Sequence, residues 1–173
     1  MIQKKTYQKS IIEIFGNMPH YKMYYVNIRG RAELLRLIFA KAGVQYEDVR
    51  YERAEWPQFK ARSPTGQCPF LEVTDEHGNT VLLCQSITIA RFLARRYNLA
   101  GANEIEQAFV DMYADQVTDL LNEILKAHFE KDESRKQELQ SKLASELLPA
   151  HLKFAVERLA KSQSGYFVDS GLT

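Results

Sequence analysis

The sequence predicts two domains, an α/β domain with the element order βαβαββα followed by an all-helical domain. Up to residue 97, short segments rich in aromatic and β-branched residues alternate with segments whose apolar residues recur at helical spacing. Beyond residue 102, long stretches without glycine have helical periodicity. We therefore divide the chain into an extension (1–17), the α/β domain (18–97), a linker (98–102) and a partial helical domain (103–173).

The composition narrows the functional classes. The chain has 173 residues, 45% of them hydrophobic, which is enough to bury a core. With 23 basic and 22 acidic side chains, the net charge of +1 provides no strong field for nucleic acid or an anionic membrane. The two cysteines, Cys68 and Cys84, form no C-x-x-C pair and lack clustered histidines. We therefore expect no disulfide framework, no bound metal and a reducing, cytoplasmic setting.

Residues 1–17 are expected to form a poorly ordered extension. Lysines precede a short apolar patch at residues 11–15, and a carboxylate interrupts that patch, unlike a secretory signal. A mitochondrial targeting segment is the alternative interpretation.

The first elements after the extension form a predicted β-α-β unit. Residues 21–27 are rich in aromatic and β-branched residues and predict a strand. A helical apolar repeat begins at Ala32, and Gly43 stands where a left-handed C-terminal cap is needed. Residues 46–51 predict a second strand, which should run parallel to the first.

The middle of the α/β domain is predicted to contain a weak helix and a hairpin. Residues 54–62 form a helical segment only if Pro57 lies in its first turn. A turn follows at residues 63–66. Residues 70–74 and 80–84 then form two antiparallel strands around a loop that contains glycine and asparagine.

The remaining elements are predicted to be helical. An amphipathic helix begins at Ser86 and ends near residue 97. After the linker, residues 104–129 and 134–161 predict two long helices, and Pro149 should bend or divide the second. The order of strands and helices before the linker is that of thioredoxin-like folds.

The turn between the first strand and the first helix carries the candidate chemistry. Disulfide exchange in thioredoxin-like domains needs a pair of thiols at this turn, and residues 25–31 contain no cysteine. The turn instead offers a phenol and the guanidiniums of Arg29 and Arg31, which can act on a thiol brought by a ligand. The strand pattern alone does not choose between Tyr24 and Tyr25 as that phenol.

Gln85 and Ser86 stand at the start of the third helix. A serine there can cap the helix, and the free backbone N–H groups of the first turn offer a site for a carboxylate. The alternative is a serine that only caps the helix.

Other candidate contacts lie between these two places. Pro69 opens a strand directly after a turn, where a cis peptide would leave the backbone groups of Cys68 free to pair with a peptide-like ligand. Trp56 and Lys60 share one helix face and could both reach an acidic group. The alternative is a tryptophan packed on the core beside a solvated lysine. Cys68 and Cys84 are expected to be buried thiols rather than nucleophiles.

Together these stretches resemble the sigma class of glutathione transferases, which includes the glutathione-dependent prostaglandin D synthases and the lens S-crystallins. The resemblance covers residues 18–173. It rests on the order and spacing of MPHYKMYYVNIRGRAE, QYEDVR, the W-P-x-x-K of Trp56 to Lys60, GQCPFLEV, QSITIARFLARRYNLAG and EQAFVD.

The resemblance implies a role for each candidate residue. Tyr25 would donate a hydrogen bond to the glutathione thiolate, and Arg31 would support that arrangement. Asp119 would reach the amine of the glutathione bound by the partner subunit of a homodimer. The other implied glutathione contacts are Trp56 and Lys60 at the glycine end, Gln67, Cys68 and a cis Pro69 at the backbone, and Gln85 with Ser86 at the γ-glutamyl end.

The resemblance also implies an activity. The expected enzyme conjugates glutathione to small hydrophobic electrophiles in detoxification, or isomerises prostaglandin H to prostaglandin D. The alternatives are a non-catalytic structural or ligand-binding protein like the S-crystallins, and an inactive truncated product. Because family members continue past Thr173 into further helices, the helical domain is expected to be incomplete at its end and to expose apolar helix faces.

Overall fold

The computed structural model describes residues 19–173, so the predicted extension at residues 1–17 lies outside the described residues. The first part of the chain contains a four-stranded mixed sheet in the order β2-β1-β3-β4. Strand β1 is parallel to β2 and antiparallel to β3, and β3 is antiparallel to β4. The strands are β1 (His20–Val26), β2 (Glu47–Tyr51), β3 (Phe70–Thr74) and β4 (Thr80–Cys84).

The helices of this part follow the predicted order and confirm the α/β fold class. Gly43 ends the first helix in the left-handed conformation, with φ +66°. Pro57 lies in the first turn of the short second helix, where its missing N–H leaves no hydrogen bond unmade. The helices are α1 (Glu33–Ala42), α2 (Trp56–Lys60) and α3 (Ser86–Arg96), with 3₁₀ turns at Gly30–Ala32 and Arg53–Glu55.

Strand alternation places the two central tyrosines on opposite faces of the sheet. Tyr25 points with Met23 into the main core, which α1 and α3 cover with Leu35 and Leu93, among others. On the other face, Tyr24 packs in a smaller cluster with Phe70 and Tyr51, beneath α2. Burying each large apolar side chain contributes about 1.5–3 kcal/mol, so both faces stabilise the sheet.

The second part of the chain is helical. It consists of α4 (Glu104–Phe129), α5 (Glu133–Lys142), a π-helical segment (Leu143–Leu147) and α6 (Leu148–Lys161). The predicted division at Pro149 is confirmed, because Pro149 lies in the first turn of α6 directly after the π segment. Proline cannot donate to the carbonyl four residues before it, which disrupts the regular hydrogen-bond ladder at that point.

The chain forms two compact units, which meet in sequence between Leu99 and Ala100. The second unit exposes many apolar side chains along its helices. On α4 these include Ile105, Phe109, Met112, Val117, Ile124 and Phe129, and on α6 Leu148, Leu152, Val156 and Leu159. Among residues 19–173, no helix is long and apolar enough to cross a membrane.

Candidate functional site

The hydroxyl of Tyr25 lies under the turn that follows β1. The backbone N–H of Arg31 donates a hydrogen bond to Tyr25 Oη at 3.2 Å. Gly30 allows this approach, because a Cβ atom on Gly30 would stand 2.6 Å from the same oxygen. A hydroxyl that accepts a hydrogen bond through its oxygen keeps its own hydrogen for donation to a ligand. The geometry therefore presents Tyr25 as a hydrogen-bond donor near the C-terminal end of β1.

The hydroxyl of Tyr24 is engaged elsewhere. Arg62 Nη2 donates to Tyr24 Oη at 2.9 Å, and Tyr24 Oη donates to Glu72 Oε2 at 3.3 Å. Its ring stacks on Phe70 with the centroids 4.5 Å apart. Burial and the neighbouring Glu72 carboxylate raise the pKa of Tyr24, against the opposite effect of Arg62. The structure thus distinguishes the two tyrosines that the strand pattern left open.

Gln67 is fixed by Ser63, a residue that the sequence predicts only as part of a turn. Ser63 Oγ donates to the Gln67 carbonyl at 2.6 Å and accepts from the Gln67 N–H at 3.1 Å. The Cys68–Pro69 peptide that follows is cis. Gln85 Nε2 donates to Gln67 Oε1 at 2.9 Å, so the structure brings these two predicted site residues together.

The start of α3 removes one interpretation of Ser86. The sequence pattern allowed Ser86 to cap the helix, but Gln85 occupies the cap position and makes no side-chain cap hydrogen bond. Ser86 is instead the first helical residue and is largely buried. The reason is that the chain enters the helix through a left-handed Gln85 with φ 72° and ψ 111°. Such a backbone costs about 1–3 kcal/mol for a residue with a side chain and is concentrated at functional sites.

Trp56 and Lys60 lie one helical turn apart on α2. The Trp56 ring stacks on Tyr51 with the centroids 5.9 Å apart, which matches the alternative of a core-packed tryptophan. Lys60 is exposed, and within residues 19–173 its ammonium group has no ion pair. Its stem passes close to Gly66, whose added Cβ would stand 3.5 Å from Lys60 Cε. The Lys60 side chain therefore places a positive charge beside the turn at residues 63–66, which leads to Gln67.

A buried hydroxyl lies beneath this loop. Tyr51 is 3% exposed, and its Oη atom has no hydrogen-bond partner in the part of the chain that the structure describes. Burial raises the pKa of Tyr51, and the adjacent Cys68 thiol adds to the rise, so the phenol remains neutral. Cys68 and Cys84 are free thiols and are half-buried rather than fully buried.

Asp119 belongs to the second unit. It lies on α4 with its side chain exposed to solvent. For residues 19–173 as described, no three side chains of His, Cys, Asp or Glu are grouped to hold a metal ion.

Ser63 and Gly30 were not among the site residues predicted from the sequence. A glycine between two arginines at the end of a strand is a signal for close backbone approach, and it could have identified Gly30. Nothing in the sequence pattern could have identified Ser63, because a serine before a proline is typical of any turn.

Comparison with known proteins assigns the family. The profile for "Glutathione S-transferase, N-terminal domain" matches residues 21–95, and that for "Glutathione S-transferase, C-terminal domain" matches residues 118–173. "Glutathione S-transferase 1" of Ascaris suum is 40% identical over 161 residues, which cover 90% of this chain and 75% of that protein. "S-crystallin SL11" of Nototodarus sloanii is 41% identical over 131 residues, which cover 76% of this chain and 62% of that protein.

A solved structure agrees with these matches. The structure of prostaglandin synthase D of Nilaparvata lugens has a TM-score of 0.79 and 35% sequence identity, covering 90% of this chain and 75% of that one. Its similarity confirms the fold class predicted from the sequence. Since the resemblance found from the motifs and the comparisons agree, the chain belongs to the glutathione S-transferase family.

Proposed function

We propose that this chain binds glutathione and activates its thiol as a thiolate for attack on small hydrophobic electrophiles. The observation that supports this most directly is the Tyr25 hydroxyl, which accepts the Arg31 N–H at 3.2 Å and retains its own hydrogen to donate. The thiolate attacks an electrophilic carbon of the second substrate and displaces its leaving group. The Arg31 side chain adds a positive charge to the same turn and favours the ionised sulfur.

The Tyr25 hydroxyl and the Arg31 side chain can together lower the pKa of the glutathione thiol by the amount that activation requires. A free thiol has a pKa of ~8.5, and lowering it by about two requires roughly 2.7 kcal/mol of preferential stabilisation of the thiolate. A hydrogen bond to a charged group contributes about 1.5–3 kcal/mol. A single well-placed phenol donor therefore accounts for most of the activation at neutral pH.

The remaining site residues are proposed to hold the tripeptide. Lys60, with the indole N–H of Trp56, binds the carboxylate of the glycine end. Gln85, with the first-turn backbone of α3 at Ser86, binds the charged γ-glutamyl end, because free N–H groups at a helix start favour an anion. The backbone of Gln67 and Cys68, which precedes the cis Pro69, pairs with the peptide groups between those ends.

A homodimer is part of this proposal. Asp119 is exposed on α4, and its carboxylate is proposed to pair with the amine of the glutathione bound by the partner subunit. Asp119→Asn should then weaken glutathione binding without changing the thiol pKa of the bound ligand.

Isomerisation of prostaglandin H to prostaglandin D is a candidate reaction of the same site. It is supported by the similarity to the prostaglandin synthase D structure at 35% identity. Assays of one preparation with a generic aromatic halide and with prostaglandin H would distinguish conjugation from isomerisation.

Substitution of Tyr25 by phenylalanine tests the proposed function. Tyr25→Phe removes the donor and should lower kcat/KM for conjugation roughly 10- to 100-fold, while glutathione still binds. Ultraviolet titration of the bound glutathione should show its thiol ionising at higher pH than in the unmodified chain. Tyr24→Phe is the matched control, because its hydroxyl serves Arg62 and Glu72 and its loss should leave the titration unchanged. Equal titration curves for the Tyr25 variant and the unmodified chain would refute the role of this phenol.

A further inference from the structure

The turn that covers Tyr25 is exposed and is not fixed by packing. The side chains of residues 27–30 are all exposed to solvent, yet the turn must hold the Arg31 N–H on Tyr25 Oη. Its beginning is tied to the sheet, since the Asn27 N–H donates to the Tyr51 carbonyl at 2.9 Å. Another group has to fix the part between Asn27 and Arg31.

That group is the guanidinium of Arg36, which projects from α1. Arg36 Nη1 donates to the carbonyl of Ile28 at 3.1 Å and to that of Arg29 at 3.3 Å. The same guanidinium is anchored by Nε to Asp48 Oδ2 at 3.0 Å. The Arg36 side chain is only 10% exposed, so a single buried fork joins the turn, α1 and β2.

The ion pair is poorly arranged for stability alone. Arg36 Nη2 and Asp48 Oδ1 are buried and have no hydrogen-bond partner among residues 19–173. Removing two charges from water is unfavourable, and a buried pair with unsatisfied polar atoms recovers that cost incompletely. An apolar pair of similar volume would stabilise the fold at least as well. The observed arrangement therefore favours a functional role in which the Arg36 guanidinium must point at the backbone carbonyls of the turn.

We propose that Arg36, held by Asp48, is a positioning residue that fixes the turn over Tyr25 and so maintains the hydrogen bond from Arg31 to the phenol. This inference rests on the proposed function, because the phenol is the donor to the glutathione sulfur. When the carbonyls of Ile28 and Arg29 are released, the turn moves away from the phenol. The hydroxyl then loses the N–H that polarises it and donates more weakly to the thiolate.

Several ionisable groups face this arrangement. Glu33 on α1 accepts from Arg36 Nη1 at 3.0 Å, and Arg50 on β2 donates to Asp48 at 2.8 Å. Tyr46 lies near Asp48 and Arg36, and Tyr51 lies near Tyr25. The test variant at Arg36 keeps all of these groups. The control variant replaces Arg50 and keeps the others.

The test compares Arg36→Met with Arg50→Met. Both variants remove one arginine from Asp48, but only Arg36 contacts the turn. Arg36→Met should raise the pKa of the bound glutathione thiol by about 1 and lower kcat roughly tenfold, with little change in KM for glutathione. Arg50→Met should leave all three quantities unchanged. Provided that the unmodified chain ionises bound glutathione, a folded Arg36→Met variant with an unchanged thiol titration would overturn the inference.

Amide hydrogen exchange separates this inference from the proposed function. In the protein without ligand, Arg36→Met should speed exchange of the Arg31 amide at least tenfold, and Arg50→Met should not. If the unmodified chain does not ionise glutathione but the exchange result holds, the proposed function fails while the positioning role of Arg36 stands. If Arg36→Met does not fold, Arg36→Lys decides, because lysine keeps the charge but cannot fork between Asp48 and two carbonyls. Unchanged exchange in a folded Arg36→Lys variant would then refute the proposal.

Discussion

Gly30 occupies the tightest position of the turn over Tyr25. Its φ of +46° lies in the left-handed region, and an added Cβ would stand 2.6 Å from Tyr25 Oη. Two separate effects of a side chain are expected there: backbone strain, and displacement of either the phenol or the turn. At another glycine, an added side chain would cause only the backbone strain. Gly43, at the end of α1, has φ +66° and no atom within 4 Å of an added Cβ.

We predict that Gly30→Ala and Gly43→Ala differ in activity more than in stability. Both should lower the free energy of unfolding by about 1–2 kcal/mol through backbone strain, measured by urea denaturation. Only Gly30→Ala should reduce kcat/KM for conjugation, by roughly tenfold or more, because it disturbs the Tyr25 hydroxyl. Equal activity of the two variants would show that the close approach of Gly30 is not required for function.

Residue-scale features were the hardest to predict from the sequence. The strand and the candidate tyrosines were evident, but choosing Tyr25 over Tyr24 required knowing which face α1 and α3 cover. The fork of Arg36 depends on three segments that meet only in the folded chain, so no local pattern indicates it. The left-handed Gln85 also lay beyond propensity rules, which place glycine or asparagine in that conformation.

Most elements, by contrast, were predictable because local signals and tertiary structure agree. The hairpin strands at Phe70–Thr74 and Thr80–Cys84 have the predicted bounds, since a turn-forming loop separates two apolar runs. Helix α4 spans Glu104–Phe129 as predicted, and Asn103 supplies an N-cap. The π-helical form of the segment before Pro149 was not predictable, because proline indicates a break but not its geometry.

The start of α4 has a charge arrangement with a testable pH dependence. Glu106 Oε1 accepts the Ser170 N–H at 3.0 Å, and Glu106 Oε2 accepts the Ala102 N–H at 2.7 Å. The Ser170 side chain contributes most to lowering the pKa of Glu106 below its ordinary value, followed by the Ala102 N–H, and the Ser170 N–H adds a smaller effect. Because the folded state holds the proton more weakly than the unfolded state, the bonds stabilise the protein at neutral pH. That stabilisation is lost as the pH falls from the ordinary glutamate value through the lower folded-state value.

We predict that Glu106→Gln weakens the acid dependence of helix melting. The thermal midpoint of the helical circular dichroism should decrease less between pH 6 and about 3 in this variant than in the unmodified chain. Glu104→Gln removes the same charge from the same helical turn but neither of these hydrogen bonds, so it should retain the original acid dependence. Parallel curves for Glu106→Gln and the unmodified chain would contradict the role of this carboxylate.

At the scale of the whole molecule, the two units differ in how much apolar surface they bury. The unit that ends at Leu99 contains the extended core of sheet, α1 and α3, with many side chains at 0% exposure. The buried apolar residues described in the second unit are Ala127, Leu139 and Val168. Since burial of apolar surface is the main stabilising term, the second unit should unfold at lower denaturant than the first.

The single tryptophan makes this difference measurable. Trp56 lies in the first unit, so its fluorescence reports that unit, whereas far-ultraviolet circular dichroism reports mainly the long helices of the second. We predict that the dichroism transition in urea has the lower midpoint. Glutathione at 100 times its Kd should stabilise the first unit by about 2.7 kcal/mol and shift the fluorescence midpoint more than the dichroism midpoint, because most of the proposed contacts lie in the first unit.

Lys60→Met provides the control, because losing the cation proposed to hold the glycine carboxylate should abolish the shift that glutathione causes, while the dichroism midpoint without ligand stays that of the unmodified chain. Coincident transitions for both probes, with and without glutathione, would show that the units unfold as one. In that case the smaller buried core of the second unit would not make it the first to unfold, and the prediction from apolar burial would be wrong.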